Sequence, residues 1–557
     1  MSNIRLLGLG GLAENGKNLY LVEVDEQIFV LEAGIQNPPT DLFGVDFVLP
    51  DMSYLVTNKH KVRGVFLSHG HEDKVGAVGD LLKKLQVPIY GSTFTLRIVK
   101  DNLEQAGLDA LTSNLHEIRE ADVLTFGNVK VSFFSTTHSI PESLGIVIHT
   151  TDGAIVYTGD FTFNPHIKAS YKTSFDKITK LGQEGVLALL TDSIGAPYAS
   201  TGDSNFLLEH HLLEILQKPG RVIISSFSSE LDKIQMAIDI ALKTGRKIAI
   251  IGRKAQRIID ISVTLGYLDI PQESLVNLRF IDAKNDNYDD NMMVLVSGEK
   301  HEPYFMLQRI ARKRDKLIHA SKKDTFFIMH VPLPGVEKMA SATIDHLYRT
   351  DAKVVLIERR ILRGSHASAI DIKLLLNFTN PKYVFPVLGE PRHQYAVEQI
   401  ALSYGLPKNQ IVSLVNGQVA TFNNGVLKEP FDFLKVGDSL VDGSILGDVN
   451  EVVLKDRELL GRDGILFIIG NVDARAHKLV GPVELVSHGF AIESETPDVF
   501  QSIKQVATKA CEDHLMEKYV EWNTMKQEVK DAVYKHLMTS IHRATLIIPI
   551  MIDTVRH

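Results

Sequence analysis

The sequence predicts an α/β protein in which a second α/β domain is inserted into the first and a small α+β domain follows. Two observations predict this. The first part of the chain alternates short β-branched runs with glycine-marked turns, whereas residues 201–350 alternate helical and strand-like segments, as parallel βαβ units do. Strand-like segments of the first type then return, and at 557 residues the chain has room for three or four domains.

The predicted domain boundaries follow these changes of pattern. Residues 1–200 and 351–428 form the two parts of the first domain, 201–350 the insert, 429–450 a linker and 451–557 the C-terminal domain. The linker carries several glycines and aspartates without clear periodicity. The last stretch, of roughly a hundred residues, has an ordinary size for an independent domain.

Local patterns predict the individual elements. In the first domain they are a hairpin at residues 19–24 and 28–31, strands at 64–67, 129–134 and 154–157, a helix at 73–85, and strands of the same type at 353–358 and 383–387. In the insert they are strands at 221–225, 247–251 and 324–329 and a helix at 230–243. In the C-terminal domain they are strands at 464–472, 478–489 and 545–553 and helices beginning at Pro497 and near 524.

Composition excludes several classes of protein. Hydrophobic residues make up 44% and charged residues 23%, which argues against extensive disorder. The longest apolar runs, such as residues 547–552, are too short to span a membrane, and the first residues carry no export signal. The single cysteine, Cys511, excludes an internal disulfide and a cysteine-based zinc cluster. A net charge of −8 argues against indiscriminate DNA binding but leaves room for a local positive channel. We therefore expect a folded, cytoplasmic protein.

A cluster of histidines and aspartates follows the predicted strand at 64–67. His69 and His71 are separated by one residue, so both imidazoles can point to one position, and Asp73 can reach a neighbouring cation. His138 and Asp160 each follow a later strand and can complete the site. Imidazole and carboxylate together suit divalent metals. The alternative is a surface loop that holds two histidines by chance, and the placing of His138 and Asp160 favours the metal site.

These residues resemble a known family. The His-x-His-x-Asp segment followed by His138 and Asp160 is similar to the metallo-β-lactamase fold, an αββα sandwich, and the βαβ insert followed by His366 resembles the β-CASP branch that processes nucleic acids. The resemblance to ribonuclease J runs over essentially the whole chain. The segments that carry it are residues 8–18, 44–46, 50–55, 190–193 and 386–390.

The resemblance implies two metal positions, of which this sequence retains one. His69, His71 and His138 would hold the first metal, with Asp160 bridging to a second metal held by Asp73 and the residues at 74 and 388. Those two residues are Lys74 and Leu388, where the family has histidines, and Glu32 stands where aspartate is usual. A protonated lysine has no lone pair and leucine has no ligand atom. We infer that Lys74 takes the electrostatic place of the second metal.

The expected cofactor is therefore zinc or manganese at one site at most, with no bound metal as the alternative. The catalytic residues implied by the resemblance are Asp73, Asp192 and His366. Gly364 and Ser365 precede His366 in swapped order relative to a family motif that grips phosphates, and a buried structural histidine is the alternative for His366. Ser228 and Ser229 offer hydroxyls to phosphate at a helix N-terminus.

Other segments of the insert depart from the family. Residues 297–303 and 329–334 carry His, Lys or Met where the family prefers small residues. His301, His319 and His330 lack ligand spacing, and we interpret them as ordinary structural or surface residues.

Two functions from different classes remain. One is an enzyme of RNA maturation and mRNA decay, a 5′→3′ exoribonuclease with some endonuclease cleavage. The other is a largely non-catalytic subunit. We favour a combination, in which the chain resembles the degenerate second type of ribonuclease J and has weak or no activity. It would bind an active paralogue through its C-terminal domain and the surface of its lactamase domain. RNA, a second copy of the chain and other RNA-degradation proteins are further expected partners. The insert and the C-terminal domain argue against a small-molecule hydrolase.

Overall fold

The structure is a computed structural model that describes residues 3–38, 44–163, 169–199, 204–276, 278, 290–333, 335–362, 365–443, 445–446, 451–491 and 496–554. Its strands are β1 (Asn3–Gly10), β2 (Leu19–Val24), β3 (Gln27–Leu31), β4 (Phe47–Pro50), β5 (Val62–Phe66), β6 (Ile89–Gly91), β7 (Leu115–Glu117), β8 (Val123–Phe126), β9 (Val129–Ser135), β10 (Leu144–Thr150), β11 (Gly153–Tyr157), β12 (Val186–Asp192), β13 (Val222–Phe227), β14 (Lys247–Ile251), β15 (Met292–Gly298), β16 (Thr325–Ile328), β17 (Lys353–Leu356), β18 (Tyr383–Val387), β19 (Gln418–Asn423), β20 (Val426–Leu427), β21 (Asp432–Phe433), β22 (Asp438–Asp442), β23 (Ile445–Leu446), β24 (Ile465–Asp473), β25 (Lys478–Leu479), β26 (Glu484–His488) and β27 (Leu546–Asp553). Its helices are α1 (Ser53–Thr57), α2 (Glu72–Val75), α3 (Val78–Lys84), α4 (Thr93–Gln105), α5 (Phe175–Glu184), α6 (Ser204–Leu216), α7 (Leu231–Lys243), α8 (Arg253–Thr264), α9 (Glu302–Ala311), α10 (Glu337–Tyr348), α11 (Arg359–Leu362), α12 (Ala369–Thr379), α13 (Pro391–Tyr404), α14 (Glu451–Asp463), α15 (Pro497–Leu515) and α16 (Trp522–Ser540).

The chain forms two compact units. The first consists of Met1–Asn37 and Phe47–Ser439, and the second of Pro38–Asp46 and Leu440–His557. Among the described residues, no helix is long and apolar enough to cross a membrane.

Two sheets pack face to face in the first unit. The first has the order β20-β19-β1-β2-β3-β5-β6-β7, with β21 also paired to β19, and the second has the order β18-β12-β11-β10-β9-β8. Phe29 and Phe66 of the first sheet share one buried cluster with Phe133, Ile146 and Leu190 of the second. Alternate residues of the strands supply this core, because successive residues point to opposite faces of a sheet.

Helices cover the outer faces of both sheets. Helices α5, α12 and α13 bury Ile178, Leu375 and Val397 in a second cluster with Val156 and Leu189 of the second sheet. Helix α4 packs against β6 and β7 of the first sheet. The predicted αββα sandwich is confirmed.

The insert is a five-stranded parallel sheet of order β14-β15-β13-β16-β17. Each of its first four strands is followed by a helix, as a parallel sheet requires. The prediction that residues 353–358 return to the first domain is wrong, because β17 pairs in parallel with β16, with Lys353 opposite Thr325. A short β-branched strand has the same local pattern in either sheet, and only its pairing decides where it belongs.

Two further segments differ in detail from their predictions. The helix predicted at residues 73–85 is two helices, α2 and α3, because the backbone N–H of Ala77 donates to the carbonyl of Ala33 instead of continuing the helix. The stretch predicted as a linker carries β21, β22 and β23. Two-residue pairings such as those of β21 leave no periodic signal in a sequence.

The second unit has its own core. Strand β24 pairs with β25, β26 and β27, and helices α15 and α16 cover one face of this sheet. Ile468 of β24, Ile503 of α15 and Val529 of α16 are fully buried together. The predicted α+β fold of the C-terminal domain is confirmed.

Candidate metal centre

The candidate ligands lie at the carboxyl ends of strands. His69 and His71 occupy the loop between β5 and α2, His138 follows β9, Asp160 follows β11 and Asp192 is the last residue of β12. Strands β9, β11 and β12 run in one direction in the second sheet, so these side chains emerge at the same edge. The sheets therefore bring residues from distant parts of the chain to one place.

Four of the predicted ligands converge. The Nδ1 atom of His71 lies 3.0 Å from Nε2 of His69 and 3.2 Å from Nε2 of His138. The Oδ2 atom of Asp160 lies 3.6 and 3.7 Å from the same two Nε2 atoms. One ligand atom from each of the four residues lies within 4.8 Å of the other three. Three imidazole nitrogens and one carboxylate oxygen thus surround a single position.

Backbone carbonyls fix the direction of two imidazoles. The Nε2 atom of His71 lies 3.2 Å from the carbonyl oxygen of Ser229, and Nδ1 of His138 lies 2.8 Å from that of Ser365. A carbonyl oxygen only accepts, so both of these nitrogens carry the proton and donate it. The opposite nitrogens, His71 Nδ1 and His138 Nε2, then face each other with lone pairs and no proton between them. A cation between the two nitrogens would bind both lone pairs and remove their repulsion. The residues therefore fit the metal that the fold implies.

Burial keeps the three imidazoles neutral. It lowers the pKa of His69 and His138 far below the ordinary value, and the neighbouring histidines lower both pKa values further. Burial also lowers the pKa of His71, although Asp73 and Asp160 oppose this shift. Three neutral imidazoles and a carboxylate are a ligand set that suits zinc and other first-row divalent metals.

Asp73 does not join this cluster. Its Oδ2 atom lies 2.5 Å from Nζ of Lys74 and accepts a hydrogen bond of 2.9 Å from the side-chain amide of Asn18. The same ammonium lies 3.0 Å from Oδ1 of Asp160. Lys74 is fully buried, and its charge lies between the two carboxylates that the family pattern assigns to the second metal.

The charges around Lys74 fix its protonation. Burial alone would lower the pKa of Lys74, but Asp160, Asp73 and Glu32 outweigh burial and raise it above the ordinary value. Burial would raise the pKa of Asp160, and Lys74 reverses this and lowers it. Burial raises the pKa of Glu32 to about 8, against the opposing effect of Lys74. The ammonium of Lys74 therefore stays protonated at neutral pH and presents no lone pair.

His366 and Asp192 form a pair beside the cluster. The Nδ1 atom of His366 lies 2.8 Å from Oδ2 of Asp192 and 3.9 Å from Oδ2 of Asp160. Burial would lower the pKa of His366, but Asp192 raises it to about 9. About a quarter of the His366 side chain is exposed. The structure thus places a positively charged donor next to the candidate metal position, where an anionic group can reach it.

The serines predicted to bind substrate have different surroundings. Ser229 and Ser365 contact the metal ligands through their carbonyls, as given above. The hydroxyl of Ser228 is buried and makes no hydrogen bond to any described residue. Gly364 lies outside the described residues.

Sequence analysis missed three contacts around this centre. Asn18 holds Asp73, and Ser139 donates to the same Ser229 carbonyl, at 3.2 Å, that accepts from His71. Lys300 of the insert lies 3.7 Å from the carboxylate of Glu72. Asn18 lies in a segment that carries the family resemblance and Ser139 adjoins His138, so the sequence weakly indicated that both lie near the centre. No feature of the sequence indicated the position of Lys300.

Known proteins match this chain along its length. Residues 219–347 match the family described as "Ribonuclease J, beta-CASP domain", residues 452–554 match "Ribonuclease J C-terminal domain" and residues 37–178 match "Beta-lactamase superfamily domain". The chain is 34% identical over 553 residues to "Ribonuclease J 2" of Staphylococcus aureus (strain MRSA252), which covers 99% of this chain and 98% of that protein. This chain belongs to the ribonuclease J family.

Two further comparisons agree. "Ribonuclease J 2" of Staphylococcus epidermidis (strain ATCC 35984) is also 34% identical, with the same coverage of both chains. A crystal structure of a protein of unknown function from Enterococcus faecalis V583 aligns with a TM-score of 0.53 at 13% identity, over 75% of this chain and 100% of that one. The latter likeness concerns the fold alone. Membership of the ribonuclease J family supports a function in RNA processing and a metal-binding hydrolase fold.

Proposed function

We propose that this chain is a metal-dependent ribonuclease J-type protein of RNA maturation and mRNA decay with weak or no activity of its own. Its family activity is 5′→3′ exoribonuclease with some endonuclease cleavage, and it acts in the cytoplasm beside an active paralogue. One ion of zinc or manganese is held by His69, His71, His138 and Asp160. The observation that carries this proposal is the ammonium of Lys74 between Asp73 and Asp160.

The lysine supports a single metal position. The ammonium of Lys74 lies within 3.0 Å of one oxygen of each carboxylate, where a second ion would need to bind. Leu388, where the family has a histidine, offers no ligand atom. The charge of a second metal is therefore partly reproduced, whereas its coordination is lost.

The remaining residues can still hold a phosphodiester. A divalent ion held by the cluster would supply activation of water and charge neutralisation at the phosphate. His366, protonated at neutral pH, can donate to a phosphate oxygen, while Asp192 fixes the orientation of its ring. Loss of one major electrostatic stabiliser typically lowers a catalytic rate by ~10²–10³. The expected activity is correspondingly weak.

The activity test compares the purified protein with an active family member. Both receive Mn²⁺ and a 5′-monophosphorylated RNA, and turnover is followed directly. We expect the double variant Lys74→His, Leu388→His to gain activity, while Lys84→His, at an exposed lysine of α3, gains none. Wild-type turnover equal to that of the active member would contradict the proposal. Absence of a gain in the double variant would mean that other positions limit the rate.

The partner surface is proposed to lie in the C-terminal domain. Ile548, Ile550 and Ile552 project from one face of β27, and each is more than a third exposed. Val486 of β26, which is 43% exposed, lies on the same face. Adjacent exposed apolar side chains are typical of surfaces that bind another protein. They support an active paralogue as the partner, with a second copy of this chain as the other candidate.

The partner test is co-purification. The full chain should co-purify with the active paralogue, and a chain ending at residue 447 should not, provided that circular dichroism shows it folded. A full-length variant with Ile548→Lys and Ile550→Lys tests the same surface without truncation. Retained assembly of the truncated chain would contradict the proposed location.

A purely non-catalytic subunit is the second candidate. It predicts no RNA hydrolysis with any divalent metal, even after both histidines are restored, but retained assembly with the paralogue. Metal analysis of the purified protein separates the candidates further. One tightly bound ion per chain supports a surviving site, and its absence supports the subunit.

A further inference from the structure

Exposed cations gather in one loop of the insert. Residues 312–323, which we call the basic loop, join α9 to β16 and include six lysines and arginines but one carboxylate, whereas the whole chain has a net charge of −8. The six cations are all exposed: Arg312, Lys313, Arg314, Lys316, Lys322 and Lys323. The loop therefore carries a local charge opposite to that of the chain.

Backbone contacts hold the basic loop in a compact shape. The N–H of Ala320 donates to the carbonyl of Ile310 at 3.2 Å, so the loop turns back on the end of α9. Arg221 donates to the carbonyl of His319 at 2.7 Å, and Nε2 of His319 lies 3.0 Å from the carbonyl oxygen of Asp315. These contacts fix the loop without using the side chains of its lysines.

The carboxylates of this region are engaged inside the protein. Asp315 is 7% exposed, and its oxygens contact the guanidinium of Arg309 at 3.2 Å and the backbone N–H of Leu317 at 2.9 Å. Both oxygens of Asp324, which follows the loop, accept from Arg221. Among the residues that the structure describes, no carboxylate pairs with Lys313, Arg314, Lys316 or Lys322. Like charges held together in this way repel one another, and an external polyanion would remove the repulsion.

The end of a neighbouring helix extends the positive surface. The guanidinium of Arg312 bonds the imidazole of His346 on α10. Desolvation lowers the pKa of His346, and the charges of Arg312 and Arg349 lower it further, against the opposing effect of the exposed Asp345. Arg349 follows α10 and is exposed. The ends of α9 and α10 thus present their cations together.

The basic loop lies far from the metal centre. Strands β13 and β16 are parallel, so their amino ends lie at one edge of the inserted sheet and their carboxyl ends at the other. Ser229, which contacts His71, follows β13 at the carboxyl edge, whereas the basic loop precedes β16 at the amino edge. The six residues of β13 span ~20 Å between these edges. A phosphate at the basic loop is therefore not the phosphate at the metal centre.

We propose that the basic loop is a second RNA-binding surface, which holds RNA by its phosphates without the metal and without reading its sequence. The inference rests on the proposed RNA function. Guanidinium groups donate two parallel hydrogen bonds to phosphate, and lysine ammonium groups bind it as point charges. An anionic membrane is the other polyanion to consider. Surfaces that bind membranes insert apolar side chains, and Leu317 and Ile318 of the loop are not exposed.

The test measures RNA binding without metal. Fluorescence anisotropy follows a labelled oligouridylate of about 30 nucleotides in EDTA at several KCl concentrations. The variant Lys313→Asn, Arg314→Ala, Lys316→Ala removes three cations, and asparagine suits the φ of 55° at position 313. We expect its dissociation constant at low salt to rise about tenfold. The slope of log affinity against log salt should fall by about 2, because each phosphate contact with a single strand contributes about 0.7.

A matched variant controls for net charge. Lys100→Ala, Lys180→Ala, Lys218→Ala also removes three exposed cations, each of which pairs with a glutamate four positions along its own helix. Its dissociation constant should stay within about twofold of the wild-type value. Circular dichroism checks that both variants fold, and Lys316→Glu alone replaces the triple variant if that one does not.

The outcomes separate the inference from the proposed function. Unchanged affinity and salt slope in the basic-loop variant would overturn the inference, as would an equal loss in the control. A loss of binding to phosphatidylglycerol vesicles with unchanged RNA binding would overturn it in favour of a membrane. RNA binding that requires Mn²⁺ would contradict the inference alone. Failure of the wild-type protein to bind RNA with or without Mn²⁺ would overturn the proposed function itself.

Discussion

The Nζ atom of Lys74 lies 3.0 Å from Oδ1 of Asp160, the residue that also faces the three histidines. One carboxylate thus serves both the candidate metal position and the buried lysine. Because Asp73 is bound to the same ammonium, the lysine and the two aspartates act as one charged group.

Removal of Lys74 should destabilise the protein. In Lys74→Met, the buried Asp160 and the partly exposed Asp73 lose their counter-ion, and breaking a buried ion pair typically costs about 3–5 kcal/mol. Urea unfolding in EDTA measures the loss, and Mn²⁺ should recover part of it. The exposed Lys84→Met should change the free energy of unfolding by less than about 0.5 kcal/mol. Equal stability of the two variants would show that the buried charges are not coupled.

The two aspartates should differ in their effect on metal content. Asp160→Asn removes a carboxylate that faces the three histidines, so we expect metal affinity to fall by at least about tenfold. Asp73→Asn lies outside the cluster and should leave one ion per chain. Elemental analysis after dialysis against a weak chelator measures both. Loss of the ion from Asp73→Asn would contradict the lysine-bridged arrangement.

His330 should make stability sensitive to acid. Burial, with a smaller effect of Lys233, lowers the pKa of His330 from 6.5 to about 3. The unfolded chain therefore binds one more proton than the folded chain between these values. The contribution of neutral His330 to the free energy of unfolding is therefore fully present above pH 6.5. It decreases as the pH falls towards 3, by about 1.4 kcal/mol for each pH unit. Urea unfolding at pH 7.5 and pH 5 should show about 2 kcal/mol more loss in the wild type than in His330→Phe. An identical dependence of stability on pH for the two proteins would refute the attribution of this acid sensitivity to His330.

A buried ion pair should stabilise the insert. Arg221 donates to both oxygens of Asp324, at 3.0 and 2.8 Å, and also to the carbonyl of His319. Arg221→Met leaves Asp324 buried without its cation and should cost about 3–5 kcal/mol. The exposed Arg119, paired with Glu117, provides the control, and Arg119→Met should cost less than about 1 kcal/mol. Thermal unfolding with equal losses would mean that burial does not strengthen the Arg221 pair.

Local patterns were sufficient for elements with a strong signal. The hairpin of β2 and β3 and the helix that begins at Pro497 were predicted because their alternation, turn residues and start signals are contained within a few positions. The place of β17 in the inserted sheet was not predictable, because its four residues fit either sheet and their pairing partner is distant in sequence.

The candidate site was likewise predictable only in part. The ligands His69, His71, His138 and Asp160 were predicted from spacing and from their positions after strands, and the structure brings them within 4.8 Å of one another. The interpretation of His330 as an ordinary structural or surface residue left open which side chains it contacts. Its contacts with Phe227 and Tyr304 join three separate elements.

The sequence by itself determined the family, the fold class and the kinds of side chain available for chemistry, because these depend on residue identity and short-range order. Only the tertiary structure decided which carboxylates lie beside Lys74, which carbonyls orient His71 and His138, and which side chains His330 contacts. These contacts join residues that are up to 227 positions apart. Their distances follow from the packing of whole sheets, which no local pattern encodes.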